Sequence, residues 1–129
     1  MKTWTAIAAA LAGTIIWTGG GTGVRAQEKA SPPAYYVAEF EITKPEGMKP
    51  YSAKVESTFK PYGGHFVVRG GKYLPLEGNA PKRKRVVIEF ASIENAMAWY
   101  NSPEYSDLRK IRQQSANTDV YLVEGIARE

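Results

Sequence analysis

His65 is the only histidine in the chain, and its ordinary pKa lies near neutrality, so it is the first candidate for moving a proton. Arg69 and Glu89 join it as candidate catalytic groups. A fixed cation can hold a carboxylate or enolate while His65 or Glu89 exchanges a proton at the neighbouring carbon. Glu39 belongs to the same set, either as a ligand contact or as a member of an ion-pair network with Arg69 and Glu89 that specifies how two sheets pair. Tyr105 and Arg112 form a second candidate ligand-binding pair. Seven residues apart, they share a helical face and can close over an anionic ligand; equally, Arg112 can tie its helix to a strand-end carbonyl. The chain has no cysteine, which excludes a thiol nucleophile, a disulfide framework and Cys-ligated metal. A single histidine leaves a metal too few ligands, so no metal site and no cofactor are expected.

These groups need strands and helices to position them. Tyr35 to Ile42 alternates polar and apolar residues, which predicts a strand with Tyr36, Ala38, Phe40 and Ile42 on its dry side and Tyr35, Val37, Glu39 and Glu41 opposite. From Met48, apolar residues recur at Tyr51, Val55, Phe59 and Tyr62, predicting an amphipathic helix with Pro50 in its first turn. His65 to Arg69 reads as a second strand, with Phe66 and Val68 inward and His65, Val67 and Arg69 outward. A Gly70-Gly71 hairpin turn and a short edge arm, Lys72 to Leu76, follow it. Arg85 to Ala91 is a third strand, with Val86, Ile88 and Phe90 dry and Val87 and Glu89 opposite. Ser92 and Ser102 are predicted N-caps of two helices, with Pro103 opening the second, and Asp119 to Glu124 is the last strand. The order β-α-β-β-α-α-β is that of a ferredoxin-like split βαβ sandwich, an α+β fold whose antiparallel sheet carries helices on one face only. The other face, bearing Val37, Val67 and Val87 among Glu39, Glu89, His65 and Arg69, calls for a partner, and a homodimer supplies one.

At 129 residues and 43% apolar content the chain holds one domain. Lys2, an apolar stretch from Trp4 to Trp17, a glycine-rich segment and Val24-Arg25-Ala26 have the order of a secretory signal peptide over 1–26, too short to span a bilayer comfortably. The expectation is cleavage after Ala26, a tether over 27–33, a domain over 34–129 and a periplasmic or secreted protein with no stable membrane association. Removing 1–26 takes away Lys2 and Arg25 and no acid, so the net charge falls from +4 to +2. That leaves no field arguing for nucleic acid. Lys82 to Arg85, the one basic run, has no interleaved aromatics and reads as a solvated loop beside a sheet edge.

Tyr62-Gly63-Gly64, Val68-Arg69-Gly70-Gly71, Leu76-Glu77-Gly78, Val87 to Ser92, Ala96 to Tyr100, Ser102-Pro103-Glu104-Tyr105, Arg109 with Arg112, and Leu122 to Gly125 together resemble the domain of unknown function 1330 family. The resemblance runs from about Ala34 to Ile126. It implies the dimeric α/β-barrel superfamily, in which ferredoxin-like subunits pair their sheets and which includes cofactor-independent monooxygenases, haem peroxidase relatives and lactone isomerases; it implies no particular activity. Two functions stay open. One is a cofactor-independent enzyme or binder of a small hydrophobic or anionic molecule in a cavity between paired sheets. The other is a non-catalytic dimeric interaction module whose polar cluster is structural. They differ in whether His65, Arg69 and Glu89 converge on an open pocket or close on one another.

Overall fold

A computed structural model describes residues 31–129; the signal peptide expected over 1–26 and most of the tether expected over 27–33 lie outside the described residues. Its elements are β1 (Ala34–Ile42), α1 (Pro45–Phe59), a 3-10 turn (Lys60–Tyr62), β2 (His65–Arg69), β3 (Lys84–Phe90), α2 (Ile93–Tyr100), α3 (Pro103–Ser115) and β4 (Ala116–Glu124). The strands form one antiparallel sheet in the order β2-β3-β1-β4, the ferredoxin-like arrangement, with all three helices on one face. The inward sets of β1 and β3 are those their alternation predicts. Tyr36, Ala38, Ile88 and Phe90 are buried with Phe59, Trp99 and Tyr105 in a single core. Ser92 and Ser102 cap α2 and α3 by accepting from the backbone N–H groups of Asn95 and Tyr105.

Three local expectations need correction. First, α1 begins at Pro45, not near Met48. Proline at the first helical position is already set at the helical φ and loses no hydrogen bond there. Pro50 therefore sits inside the helix and leaves one carbonyl of the preceding turn without its usual donor. Second, Gly70-Gly71 does not close a hairpin onto a strand. Residues 71–83 form an irregular excursion between β2 and β3, anchored where the Tyr73 hydroxyl donates to the Arg83 carbonyl at 2.8 Å. Third, β4 starts at Ala116, three residues earlier than expected, pairing with the far end of β1.

The most consequential departure is in β2. His65 lies opposite Glu89 and Phe66 opposite Ile88, but Val68 lies opposite Val87, so Val67 is the extra residue of a bulge. One inserted residue reverses the parity of everything after it. Val68 consequently faces the open side of the sheet, and Arg69, opposite Val86, turns beneath the helices.

α1 is held beside α3 rather than pressed onto the strands. The Ser115 carbonyl accepts from the N–H groups of Thr43 and Lys44 at 2.9 and 3.0 Å, and Gly47 lies so near that a Cβ there would come within 2.4 Å of the Ser115 hydroxyl. Space remains between α1 and the sheet.

Candidate functional site

That space is a cavity of about 160 Å³. Its walls are mostly apolar: Ala38, Phe40, Val86 and Ile88 from the sheet, Met48 and Val55 from α1. Its exposed rim carries Arg69, Gly70 and Lys84, and its inner end carries Arg112, Tyr36 and Tyr51. The cavity lies on the helix side of one subunit's sheet, whereas a ligand space between paired sheets would lie on the other side.

Arg112 comes from α3, on the stripe that also buries Tyr105 and Leu108, because residues three and seven apart share a helical face. It is 2% exposed. One Nη donates to the Thr118 hydroxyl of β4, so the helix-to-strand tie exists, made to a side chain instead of a carbonyl. Its Nε has no partner, and among the described residues no carboxylate lies within ion-pairing distance of it. A buried guanidinium without a counter-ion is costly unless other dipoles solvate it. Here three phenols do so. Burial opposes its charge, but Tyr36, Tyr105 and Tyr51 reverse that and hold its pKa above the usual arginine value.

The phenols form a chain. Tyr51 and Tyr105 hydroxyls are 2.9 Å apart, and Tyr105 and Tyr36 hydroxyls 3.2 Å. Burial first, then the neighbouring hydroxyls, push Tyr36 and Tyr51 well above the ordinary tyrosine pKa, so both remain protonated donors. Unfolded, the same side chains ionise near pH 10. The folded state therefore holds protons that the unfolded state has released, and stability complete below about pH 10 is lost as pH rises above it. Urea midpoints followed into alkali should fall for the wild type and fall less steeply for Tyr36→Phe. Parallel curves would show that Tyr36 does not carry the effect.

The remaining candidates lie elsewhere. His65 and Glu89 do meet, Nε2 to Oε2 at 3.4 Å, but Arg69 is not with them. Glu89 is instead completed by Arg128 at 2.7 Å, and these three line a separate cleft at the opposite end of the sheet. Glu39 pairs with Arg85 at 2.5 Å, not with Arg69. Arg69 lies 4.6 Å over the Phe66 ring and 3.8 Å from Glu56 of α1. The proposed trio thus divides: one pair closes on itself, and the third member joins Arg112 at the cavity. Tyr36 and Tyr51 were missed because both fall on dry stripes and read as packing. The available signal was chemical, since a tyrosine buried on such a stripe needs a partner for its hydroxyl.

The sequence matches the family described as a domain of unknown function (DUF1330) over residues 33–126. The chain belongs to the DUF1330 family. A comparison with curated proteins finds no match. Among solved structures, a protein of unknown function from Rhodopseudomonas palustris is similar to this DUF1330 chain with a TM-score of 0.59 at 18% identity, covering 76% of this chain and 85% of its own. SnoaB, a cofactor-independent oxygenase from Streptomyces nogalater, is similar with a TM-score of 0.53 at 13% identity, covering 77% of this chain and 96% of its own. At these identities the likeness is one of fold.

Chemically, the cavity can stabilise negative charge on oxygen. It presents cations and phenol donors, and among the described residues no carboxylate or imidazole lines it.

Proposed function

We propose that this DUF1330 protein is exported, that it binds a small, largely apolar molecule through one anionic oxygen in the cavity beneath α1, without a cofactor, and that it works as a homodimer closed through the open sheet face. The carrying observation is Arg112: buried, unpaired by any described carboxylate, its Nε–H without a partner, and lining an apolar cavity. Arg85 also has an unpartnered Nε, but its charge is matched by Glu39, whereas that of Arg112 is matched by no described carboxylate. If the bound molecule reacts, the protein's contribution is to hold an enolate or phenolate oxygen. The fold shared with SnoaB is compatible with such chemistry and does not establish it.

The test is a ligand-observed NMR screen of small aromatic and aliphatic acids and phenols against wild type and Arg112→Met. Methionine keeps an unbranched stem and removes the charge. A hydrogen bond to a charged group contributes about 1.5–3 kcal/mol, so affinity should fall roughly 10- to 100-fold while the variant remains folded. Undiminished binding by a folded Arg112→Met would place the site elsewhere.

The interaction-module reading also has a specific observation behind it. The two candidate acids of the open face are paired within the chain, Glu39 with Arg85 and Glu89 with Arg128, His65 lying beside Glu89. For those residues we adopt the structural role: they flank an apolar row and are ready to be covered.

A further inference from the structure

We infer that the cavity takes a single-ring phenol and holds it as the phenolate. This rests on the binding reading above and adds to it the ligand's size and ionisation state.

Size comes from volume. An apolar cavity of roughly 150 Å³ accepts benzene. The space beneath α1 is about 160 Å³, enough to seat one ring with an oxygen. Its walls at Phe40, Phe66, Val55 and Ile88 suit a ring.

Ionisation state comes from charge. Arg112 is 2% exposed, pairs with no carboxylate of the described residues and keeps an Nε–H without a partner. The hydroxyls of Tyr36, Tyr105 and Tyr51 carry three hydrogens and make two bonds among themselves, so one phenol hydrogen is also left over. A neutral phenol can donate to a tyrosine lone pair, but it brings no charge to the guanidinium. A phenolate accepts the spare hydrogens and supplies the missing counter-ion, and a nearby opposite charge favours the ionised form of an acid.

The charged groups facing this point are cationic or neutral on every packed element: Tyr36 on β1, Tyr51 on α1, Tyr105 and Arg112 on α3, with Arg69 on β2 and Lys84 on β3 at the rim. Glu56 pairs with Lys60 at 3.0 Å and approaches Arg69 at 3.8 Å, and it does not line the cavity. On binding, the phenol O–H bond breaks, its electron pair stays on oxygen, and the proton leaves to buffer. The position para to the oxygen points to the rim, since Arg112 is at the buried end.

The probe is 4-nitrophenol, whose phenolate absorbs visible light and whose para group can occupy the rim. Below the free phenol's pKa, adding wild-type protein should raise the phenolate absorbance, corresponding to about a tenfold or greater preference for the anion, a shift of about one pKa unit. Arg112→Met should abolish the colour change, and Arg112→Lys should keep part of it. Tyr51→Phe should weaken it while leaving the fold intact by circular dichroism. Binding of 4-nitrophenol without a spectral change would overturn the anionic assignment. Tighter binding of benzoate or 2-naphthol than of 4-nitrophenol would overturn the ligand class and leave the binding reading standing. Failure of all three probes and of the whole acid and phenol series, with folded protein, would overturn both.

Discussion

Replacing Trp99 by alanine is expected to cost about 3–5 kcal/mol of stability, the range for deleting a fully buried large aromatic. Trp99 has no exposed surface, and five rings surround it: Tyr105 with centroid at 4.0 Å, Tyr36 at 5.0 Å, Phe90 at 5.4 Å, Phe59 at 5.9 Å and Tyr100 at 6.4 Å. Edge-to-face and stacked rings contribute beyond their buried area. The indole N–H also donates to the Thr58 hydroxyl at 3.0 Å, tying α2 to α1 across the core. Deleting it opens a hole against two members of the phenol chain, so Tyr36 and Tyr105 lose the wall that fixes their hydroxyls. The loss is a large part of a small domain's total of about 5–15 kcal/mol. Urea denaturation followed by far-ultraviolet circular dichroism gives the measurement, because the variant lacks the core tryptophan that fluorescence would report. A loss below about 1 kcal/mol, less than even a simple large-to-small core change costs, would mean the core is not packed around this ring.

Much of this architecture is legible in the sequence because period two and period 3.6 are imposed by burial. Tyr36, Ala38, Phe40 and Ile42 separate from Glu39 and Glu41 by alternation alone, and Ser102-Pro103 announces a helix start. The bulge is not legible. In His65-Phe66-Val67-Val68-Arg69 two valines are adjacent, either fits either face, and nothing local says which is the extra residue. Assigning that parity wrongly sends Arg69 to the open face and groups it with His65 and Glu89. Arg112 and Tyr105 could be paired by helical spacing. Tyr51 and Tyr36 could not be added to them without knowing that α1 stands off the sheet beside α3, a tertiary fact set by contacts such as Gly47 with Ser115. Arg128 as a partner of Glu89 is likewise long-range, since the two are 39 residues apart.

Val87→Lys should convert a dimer into a monomer. Across the open face, Val68, Val87, Val37 and Tyr121 stand in one row, each opposite its neighbour in the sheet register. Val68 and Tyr121 at its ends are 39% and 46% exposed, an apolar band on a sheet that has no layer of its own on this side. Polar rows bound it on both sides, with Glu39 and Arg85 on one and Glu89 and His65 on the other, already paired internally. A two-fold axis would bring this band against its own copy. Lysine at position 87 would then bury two like charges near that axis, a cost of several kcal/mol, and weaken dimerisation by at least about a hundredfold. Sedimentation velocity at micromolar concentration is the measurement, with a wild-type monomer overturning the dimer. The same variant separates assembly from binding. Val86 and Ile88, the residues on either side of position 87, face the cavity on the opposite side of the sheet. A folded monomeric Val87→Lys should therefore bind 4-nitrophenol as the wild type does. Loss of binding together with the dimer would mean that the cavity beneath α1 is incomplete without the partner copy.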